Sequence, residues 1–155
     1  MRIRSYDVRD AAQLGMVFRR AILEIGAKDY TAGQVAAWAG PEDAGLRLHG
    51  KLSDGRHALV AVDDADRVLA FGDLETDGHI DFLYALPEVA GTGVASALYD
   101  ALEEVAQTRR LPRLYTEASE AARRFFIKKG FAVVQRRDFA VRGVAIHNYA
   151  MEKRL

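Results

Sequence analysis

Two glycines one residue apart, Gly91 and Gly93, lie where an apolar segment ends and a helical pattern begins. Residues 80–86 have the composition of a buried strand, and apolar residues recur at helical spacing from Val94 onward. The start of a helix leaves backbone N–H groups without intrahelical partners and carries the positive end of the helix dipole. Glycines at that place let an anion approach those N–H groups closely. The sequence therefore predicts an anion site, best suited to a pyrophosphate.

Two common phosphate-binding motifs fit this segment poorly. The dinucleotide-binding pattern needs a third small residue, which Ser96 supplies, but also an early βαβ unit, and this segment lies past the middle of the chain. The P-loop pattern needs Gly-Lys-Ser/Thr, which is absent. A dinucleotide-dependent oxidoreductase is therefore disfavoured.

The segment as a whole resembles the GNAT superfamily of acyl-CoA-dependent N-acetyltransferases. Their signature is Leu-x-Val-x-Pro, two residues, and then Gln/Arg-Gly-x-Gly-x-Gly/Ala, while residues 83–95 read LYALPEVAGTGVA. The glycine spacing and the final small residue match, whereas Ala85 and Ala90 replace the usual valine and Gln/Arg. Because such a loop acts mainly through backbone N–H groups, Ala90 weakens the match without removing phosphate binding.

A second segment carries the same resemblance. Residues 119–131, SEAARRFFIKKGF, begin with an N-cap serine and end with a basic turn and Gly130. They resemble the family's Ala-x-x-Phe-Tyr-x-x-x-Gly-Phe helix, with Phe126 where many members have tyrosine. The Phe-Phe pair and the Met-Glu-Lys sequence at residues 151–153 also resemble the YafP-like bacterial subgroup.

The resemblance implies acetyl-CoA as co-substrate, no metal, and direct attack of a primary amine, from a small molecule or a peptide, on the thioester. It implies that the backbone N–H groups of Leu83 and Ala85 bind the acetyl carbonyl and the pantetheine arm. Lys128 and Lys129 are expected near the nucleotide phosphates, although they also complement a helix dipole. The predicted acyl-CoA-binding residues are Leu83, Tyr84, Ala85, Ala90, Gly91, Thr92, Gly93, Val94, Ala95, Ser96, Phe125, Phe126 and Lys128.

Two ionisable side chains precede this segment. Period-two alternation places His79 and Asp81 on one face of the strand, together with Leu83 and Ala85. Burial raises the pKa of a carboxyl group and lowers that of an imidazole, so both are candidates to accept a proton from an acceptor ammonium. The competing interpretation is that His79 belongs to the turn before it and that Asp81 binds a neighbouring backbone group or arginine.

Phe126 lacks the hydroxyl with which the family's tyrosine protonates the departing thiolate. Tyr84, Tyr115 or Tyr149 could replace it, water could do so, or the protein could be a CoA-binding sensor without turnover. Tyr149 joins Asp81 and His79 in the predicted catalytic set.

An acceptor pocket is predicted from three further side chains. Tyr30, Gln34 and Trp38 recur every four residues, so we expect them on one helical face, as core packing or as an aromatic pocket wall. Glu117 ends a predicted strand, where it is either a surface carboxylate or an attractor for a cationic amine. The predicted substrate-binding residues are Tyr30, Trp38 and Glu117.

The composition narrows the class of protein. The 155 residues are 50% hydrophobic and 28% charged, with 22 basic and 22 acidic side chains, which predicts one globular domain over residues 1–155 and no nucleic-acid partner. Arginine pairs such as Arg136-Arg137 are interpreted as solvated faces. The absence of cysteine excludes disulfides, thiolate metal sites and an acyl-cysteine intermediate. Without a long apolar run we expect no membrane span and a cytoplasmic protein. A homodimer remains open.

The hydrophobic periodicity predicts an α+β domain with the order β-ααα-βββ-α-β-α-ββ. This is the plan of the GNAT fold, a mixed and mostly antiparallel central sheet that is splayed at the acyl-CoA site and flanked by helices. Strands are predicted at residues 3–6, 57–62, 67–73, 78–86, 113–117, 131–141 and 144–151, the last two joined by a turn at 142–143. Helices are predicted from an Asp10 cap to residue 25, at 31–39 and 42–51, from Val94, and after Ser119.

Overall fold

Seven strands and five α-helices are present in the computed structural model, which describes residues 1–155. The strands are β1 (Arg2–Ser5), β2 (His57–Val62), β3 (Val68–Leu74), β4 (Leu83–Ala85), β5 (Arg113–Ala118), β6 (Ala132–Val141) and β7 (Val144–Arg154). The α-helices are α1 (Ala11–Arg20), α2 (Ala32–Ala39), α3 (Ala44–Leu52), α4 (Val94–Thr108) and α5 (Glu120–Lys128). A 3-10 turn (Val8–Asp10) precedes α1, and a π turn (Ala21–Ile25) and a 3-10 turn (Gly26–Lys28) continue it. No helix has both the length and the apolar character needed to cross a membrane.

The strands form two antiparallel sheets, in the orders β1-β2-β3-β4 and β5-β7-β6. The sheets meet where the Ile80 N–H donates to the Tyr115 carbonyl at 2.9 Å and the Tyr115 N–H donates to the Gly78 carbonyl at 3.1 Å. Beyond these bonds β4 and β5 do not pair, so the sheets diverge. The predicted α+β class and the splayed arrangement of the strands are confirmed.

The predicted strand over residues 78–86 is wrong in its first half, since β4 covers only Leu83–Ala85. The cause is the buried carboxylate of Asp73, whose Oδ1 accepts the N–H groups of Asp81 and Phe82 at 2.9 and 2.8 Å. Because a side chain takes these donors, regular pairing of this segment begins only after Phe82.

The first sheet is covered on both faces, and β3 is buried at every residue as a result. Leu102 of α4 lies against Gly72. On the other face, Tyr84 stacks on Phe71 with ring centroids 5.8 Å apart and contacts Phe18 of α1 at 5.0 Å. This packing holds β4 between α1 and α4.

Helices α1 and α3 approach each other through two glycines. A methyl group at Gly15 would lie 2.5 Å from the backbone nitrogen of Gly45, and one at Gly45 would lie 2.6 Å from the Ala11 carbonyl oxygen. The backbones of the two helices are therefore in direct contact.

The helix starts and turns differ from the predictions in detail. Asp7, rather than Asp10, caps the first helical turn through a bond from the Arg9 N–H, and the buried Asp10 carboxylate pairs with Arg4 at 2.8 Å. The predicted turn at residues 142–143 is confirmed, with φ of 47° and 79° as a tight two-residue hairpin requires.

Candidate functional site

A cavity of about 570 Å³ opens where the two sheets diverge. Its walls come from α1 and the π turn, α2, β4, the segment before α4, β5, α5, and the β6–β7 hairpin. The lining is mainly apolar and aromatic, with a few charged groups. These charged groups are Asp29, Asp81, Glu117 and Arg137.

The hydrogen-bonding register of β4 directs two backbone donors towards this cavity. The Asp73 N–H donates to the Phe82 carbonyl, and the Leu86 N–H donates to the Leu69 carbonyl at 2.9 Å. Because hydrogen-bonded positions alternate in an antiparallel ladder, the N–H groups of Leu83 and Ala85 point away from β3. They face the gap between the sheets, as the family resemblance implies.

The glycine loop, residues 90–96, contains several backbone donors without an acceptor in the protein. Gly91 and Gly93 have φ of 75° and 92°, a left-handed conformation that favours glycine, and nothing lies within 4 Å of a side chain placed there. The N–H groups that donate no hydrogen bond are those of Gly91, Gly93, Val94, Ala95 and Ser96. Together with the helix dipole of α4 they form a surface that suits an anion.

Of the two lysines expected near the nucleotide phosphates, Lys129 lies beside this loop. Lys129 Nζ donates to Ser96 Oγ at 2.6 Å and to Asp100 Oδ1 at 2.8 Å. Lys128, one residue earlier on α5, is exposed and makes no ion pair. The helical rotation of 100° between neighbours separates the two side chains, and sequence alone does not determine which one faces α4.

The predicted acyl-CoA-binding residues divide into two groups. Those that line the cavity are Leu83, Tyr84, Ala85, Ala90, Gly91, Ala95, Phe125 and Phe126. Those outside its lining are Thr92, Gly93, Val94, Ser96 and Lys128. All of the second group except Lys128 belong to the glycine loop, so they form the outer edge of the same site.

Asp81 lines the cavity and is paired with an arginine behind it. Its Oδ2 lies 3.0 Å from Nη1 of Arg56, while its Oδ1 has no partner in the protein. Arg56 also binds Asp54, Asp73 and Glu75 at 2.9, 2.6 and 3.0 Å. One carboxylate oxygen of Asp81 is therefore left for a ligand.

His79 does not line the cavity, and its expected pKa shift is wrong in direction. Burial does lower its pKa, but hydrogen bonds to the carboxylates of Glu117 and Glu75 outweigh burial and raise the pKa to about 9. The distance from Nε2 to Glu117 Oε1 is 2.8 Å. A histidine that is protonated at neutral pH cannot accept a proton, and here the imidazole donates to the carboxylate of Glu117.

The three tyrosines proposed for thiolate protonation lie in different places. Tyr149 is outside the cavity lining, under Arg123, and the neighbouring Glu120 raises its pKa. Tyr115 is also outside the lining, where its hydroxyl donates to Asp77 and its ring stacks on His79. Only Tyr84 lines the cavity, and burial raises its pKa.

All three predicted substrate-binding residues, Tyr30, Trp38 and Glu117, line the cavity. Tyr30 precedes α2 rather than belonging to it, so the predicted common helical face is wrong, yet its ring contacts that of Trp38 at 5.7 Å. Its hydroxyl donates to the His147 carbonyl at 2.9 Å and accepts the Glu120 N–H at 3.1 Å. This hydroxyl joins the segment before α2 to β7 and α5.

Sequence reasoning missed Arg137 and Asn148, which the hairpin contributes to the cavity. Arg137 is half-buried, whereas its neighbour Arg136 is exposed and pairs with Asp138 at 3.1 Å. The alternation of β6 was the available signal, since Arg137, Phe139 and Val141 share one face.

Comparison with known proteins places this site in a family. A model of the acetyltransferase (GNAT) domain matches residues 27–153. The chain is 31% identical over 151 residues to the uncharacterized N-acetyltransferase YafP of Escherichia coli (strain K12), covering 97% of this chain and 94% of YafP.

Solved structures agree with this relation. A GCN5-related N-acetyltransferase from Rhodopseudomonas palustris is 34% identical, with a TM-score of 0.92 over 99% of this chain and 95% of that one. The PaiA N-acetyltransferase of Thermoplasma acidophilum, solved in complex with coenzyme A, shares the fold at 19% identity and a TM-score of 0.78, over 99% and 98% of the chains. The glycine loop and the splayed strand thus belong to a YafP-like N-acetyltransferase of the GNAT family.

Proposed function

We propose that the protein moves an acetyl group from acetyl-CoA to a primary amine by direct attack of the amine on the thioester. One observation carries this proposal. Two sets of backbone N–H groups without acceptors, one in the glycine loop and one in β4, adjoin the same cavity. An elongated ligand with a pyrophosphate at one end and a carbonyl at the other matches both sets. The coenzyme A complex of the Thermoplasma acidophilum protein supports the same choice of ligand.

In this proposal the pyrophosphate binds the N–H groups of the glycine loop, and the pantetheine arm lies along β4. The N–H groups of Leu83 and Ala85 bind the amide of that arm and the acetyl carbonyl. A donor fixed at the carbonyl oxygen stabilises the charge that develops as the amine attacks. Phe125 and Phe126 form an apolar wall of the cavity.

We assign the acceptor side to Asp81, Glu117, Tyr30 and Trp38. Asp81 presents a free carboxylate oxygen, and we propose that it takes the proton of the incoming ammonium, directly or through water. The amine nitrogen then bonds to the acetyl carbon, and the carbon–sulfur bond breaks. Glu117, held ionised by His79, attracts the cationic acceptor.

The leaving thiolate receives its proton from water or from the ammonium formed on attack, since Phe126 has no proton to give. Tyr149 and Tyr115 lie outside the cavity lining, which argues against either as the acid. The missing hydroxyl is also the observation that favours the second candidate function, a CoA-binding sensor without turnover.

Two measurements test the proposal. Thermal unfolding with acetyl-CoA, CoA, NAD and ATP should show stabilisation by the first two alone, because a ligand of the folded state raises its stability by mass action. A thiol-release assay with a panel of amines, amino acids and peptides should then show turnover above acetyl-CoA hydrolysis. Equal stabilisation by NAD would contradict the assignment of the glycine loop. Binding of CoA without turnover on any acceptor would identify the sensor.

A further inference from the structure

We propose that Arg137 and Asn148 form a subsite for a carboxylate on the acceptor, so that the acceptor is an amino acid with an apolar side chain. This inference rests on the proposed acetyl transfer and adds the substrate class. It comes from the one guanidinium in the cavity lining, which has no acidic partner.

The register of the second sheet places these groups on one face. Arg137 of β6 lies opposite Asn148 of β7, and Glu117 of β5 lies opposite Ala150, two residues further along β7. With strands about 4.8 Å apart and a rise of about 3.4 Å per residue, the Cα atoms of Arg137 and Glu117 are roughly 12 Å apart. Their side chains converge on the cavity from opposite sides of β7.

The hydrogen bonds leave several donors free at this end. Arg137 Nη1 donates to Asn148 Oδ1 at 2.9 Å, and no other nitrogen of Arg137 has an acceptor in the protein. Because Oδ1 of Asn148 is engaged, its side-chain NH₂ group remains as a donor. The guanidinium also lies over the ring of Phe139, 5.2 Å from its centroid. A planar fork beside an amide donor is the arrangement that binds a carboxylate.

The carboxylates of the cavity lining all make ion pairs, although Arg56 and His79 also bind other carboxylates. Each lining carboxylate has a basic partner: Asp29 has Arg124 at 2.8 Å, Asp81 has Arg56 at 3.0 Å, and Glu117 has His79 at 2.8 Å. His147, the other basic side chain of the lining, lies 3.9 Å from Glu120. Arg137 makes no ion pair of its own. After the hydrogen bond from His79, its charge helps to lower the pKa of Glu117, and its remaining N–H groups are free to bind an anion.

The remaining lining of the cavity suits an apolar side chain on the acceptor. Aromatic and aliphatic side chains line the same cavity, namely Tyr30, Trp38, Phe139, Val141 and Ile146. An amino acid with an apolar side chain would place its carboxylate at Arg137, its ammonium towards Asp81 and Glu117, and its side chain against these rings.

The experiment compares amino acids with the amines that lack only the carboxylate, such as phenylalanine with phenethylamine and leucine with isopentylamine. We measure kcat and KM for the wild type, Arg137→Gln, Arg137→Lys and Arg136→Gln. Arg136→Gln is the matched control, since that residue is adjacent but exposed and paired with Asp138. Thermal unfolding of the same proteins, saturated with CoA, is also measured with and without each amino acid. The shift in Tm reports carboxylate binding independently of turnover.

We expect the wild type to prefer the amino acid of each pair. Arg137→Gln should lower kcat/KM on amino acids about 10- to 100-fold, chiefly through KM, because a charge-assisted pair is lost. The effect of Arg137→Gln on kcat/KM for the amines should stay below about 3-fold. On amino acids, kcat/KM of Arg137→Lys should fall between those of the wild type and Arg137→Gln, because lysine keeps the charge but lacks the planar fork.

Two results would overturn the inference: wild-type preference for the amines, or an equal loss on both members of a pair in Arg137→Gln. If amino acids stabilise the wild type but not Arg137→Gln, and no acceptor is acetylated, the carboxylate subsite is retained and the transferase proposal is removed. Absence of both stabilisation and turnover with amino acids, while amines are acetylated, would remove the subsite and retain the transferase.

Discussion

Asp81 Oδ2 lies 3.0 Å from Nη1 of Arg56, and the other oxygen of the same carboxylate has no partner in the protein. The arginine fixes the side chain at the cavity wall and leaves half of it available to a ligand. Arg56 is 6% exposed and keeps three further carboxylates, Asp54, Asp73 and Glu75. The position of Asp81 is therefore set by a cluster that does not depend on Asp81 itself.

Asp81→Asn should lower kcat/KM on the best acceptor about 100-fold, because the amide keeps the size of the side chain but cannot accept the proton. CoA affinity should stay within about 2-fold. Asp54→Asn is the control, since it removes another partner of Arg56 on the exposed side of the cluster. Steady-state kinetics and calorimetric titration of CoA measure both quantities. An active Asp81→Asn protein would remove this residue from the mechanism.

Gly93→Val should weaken CoA binding at least about 10-fold, since a side chain there occupies the space in front of the loop N–H groups. Gly143→Val is the matched control: its φ of 79° is also positive and its surroundings are open, but it lies in the β6–β7 turn. Both variants should lose on the order of 1–2 kcal/mol of stability from backbone strain. Calorimetry and urea melts separate the two effects, and normal CoA affinity in folded Gly93→Val would exclude the loop as the phosphate site.

Phe126→Tyr should leave kcat unchanged or raise it, because a phenol at the cavity wall can protonate the thiolate. Phe126 packs on Phe131 with ring centroids 4.8 Å apart, and Phe131→Tyr places a hydroxyl on the neighbouring ring, which does not line the cavity. That control should give no gain in kcat. A kcat of Phe126→Tyr reduced about 10-fold in a protein of normal stability would argue against a thiol near this ring.

Gly15→Ala should destabilise the fold by about 1–3 kcal/mol, because the added methyl group would lie 2.5 Å from the Gly45 nitrogen and must push α1 and α3 apart. Gly50→Ala, on α3 with nothing within 4 Å, should instead stabilise it by about 0.5–1 kcal/mol through helix propensity. Urea denaturation measures both. Equal effects of the two substitutions would mean that the glycine contact does not fix the helices.

The hydrogen bonds of His79 to Glu117 and Glu75 predict that the stability of the fold depends on pH. An unfolded histidine titrates near 6.5, whereas the bonds to Glu117 and Glu75, opposed by burial, raise the pKa of His79 to about 9 in the folded protein. The folded state binds this proton more tightly, so the stabilisation is complete below pH 6.5 and is lost as the pH rises through 9.

Between pH 6 and pH 9.5 the wild type should lose roughly 1–3 kcal/mol more than His79→Gln, after allowance for the solvent that reaches the pair. Urea melts of both proteins at the two pH values measure the difference. Parallel pH profiles would contradict the ion pairs of His79.

Sequence reasoning succeeded where a local pattern determines the structure. The apolar spacing from Val94 and the glycines at 91 and 93 specify the turn into α4, and the turn at residues 142–143 follows from local chemistry as well. The failures arise from contacts distant in sequence. The shortened β4 depends on Asp73 of another strand, and the pKa of His79 depends on Glu117, 38 residues away. Arg137 was misjudged because the arginine pair was interpreted as one solvated unit, although the alternation of β6 places Arg136 and Arg137 on opposite faces.

The divergence of the sheets leaves β4 with an unpaired strand edge, which on a protein surface would invite aggregation with another copy. Here the edge is covered by its surroundings, since Leu83 and Ala85 line a cavity enclosed by α1, α5 and the hairpin. The N–H groups of β4 are therefore hidden from an approaching polypeptide strand but remain within reach of a thin, flexible chain. The same interruption of the sheet that creates a binding groove thus also protects the protein from edge-to-edge association.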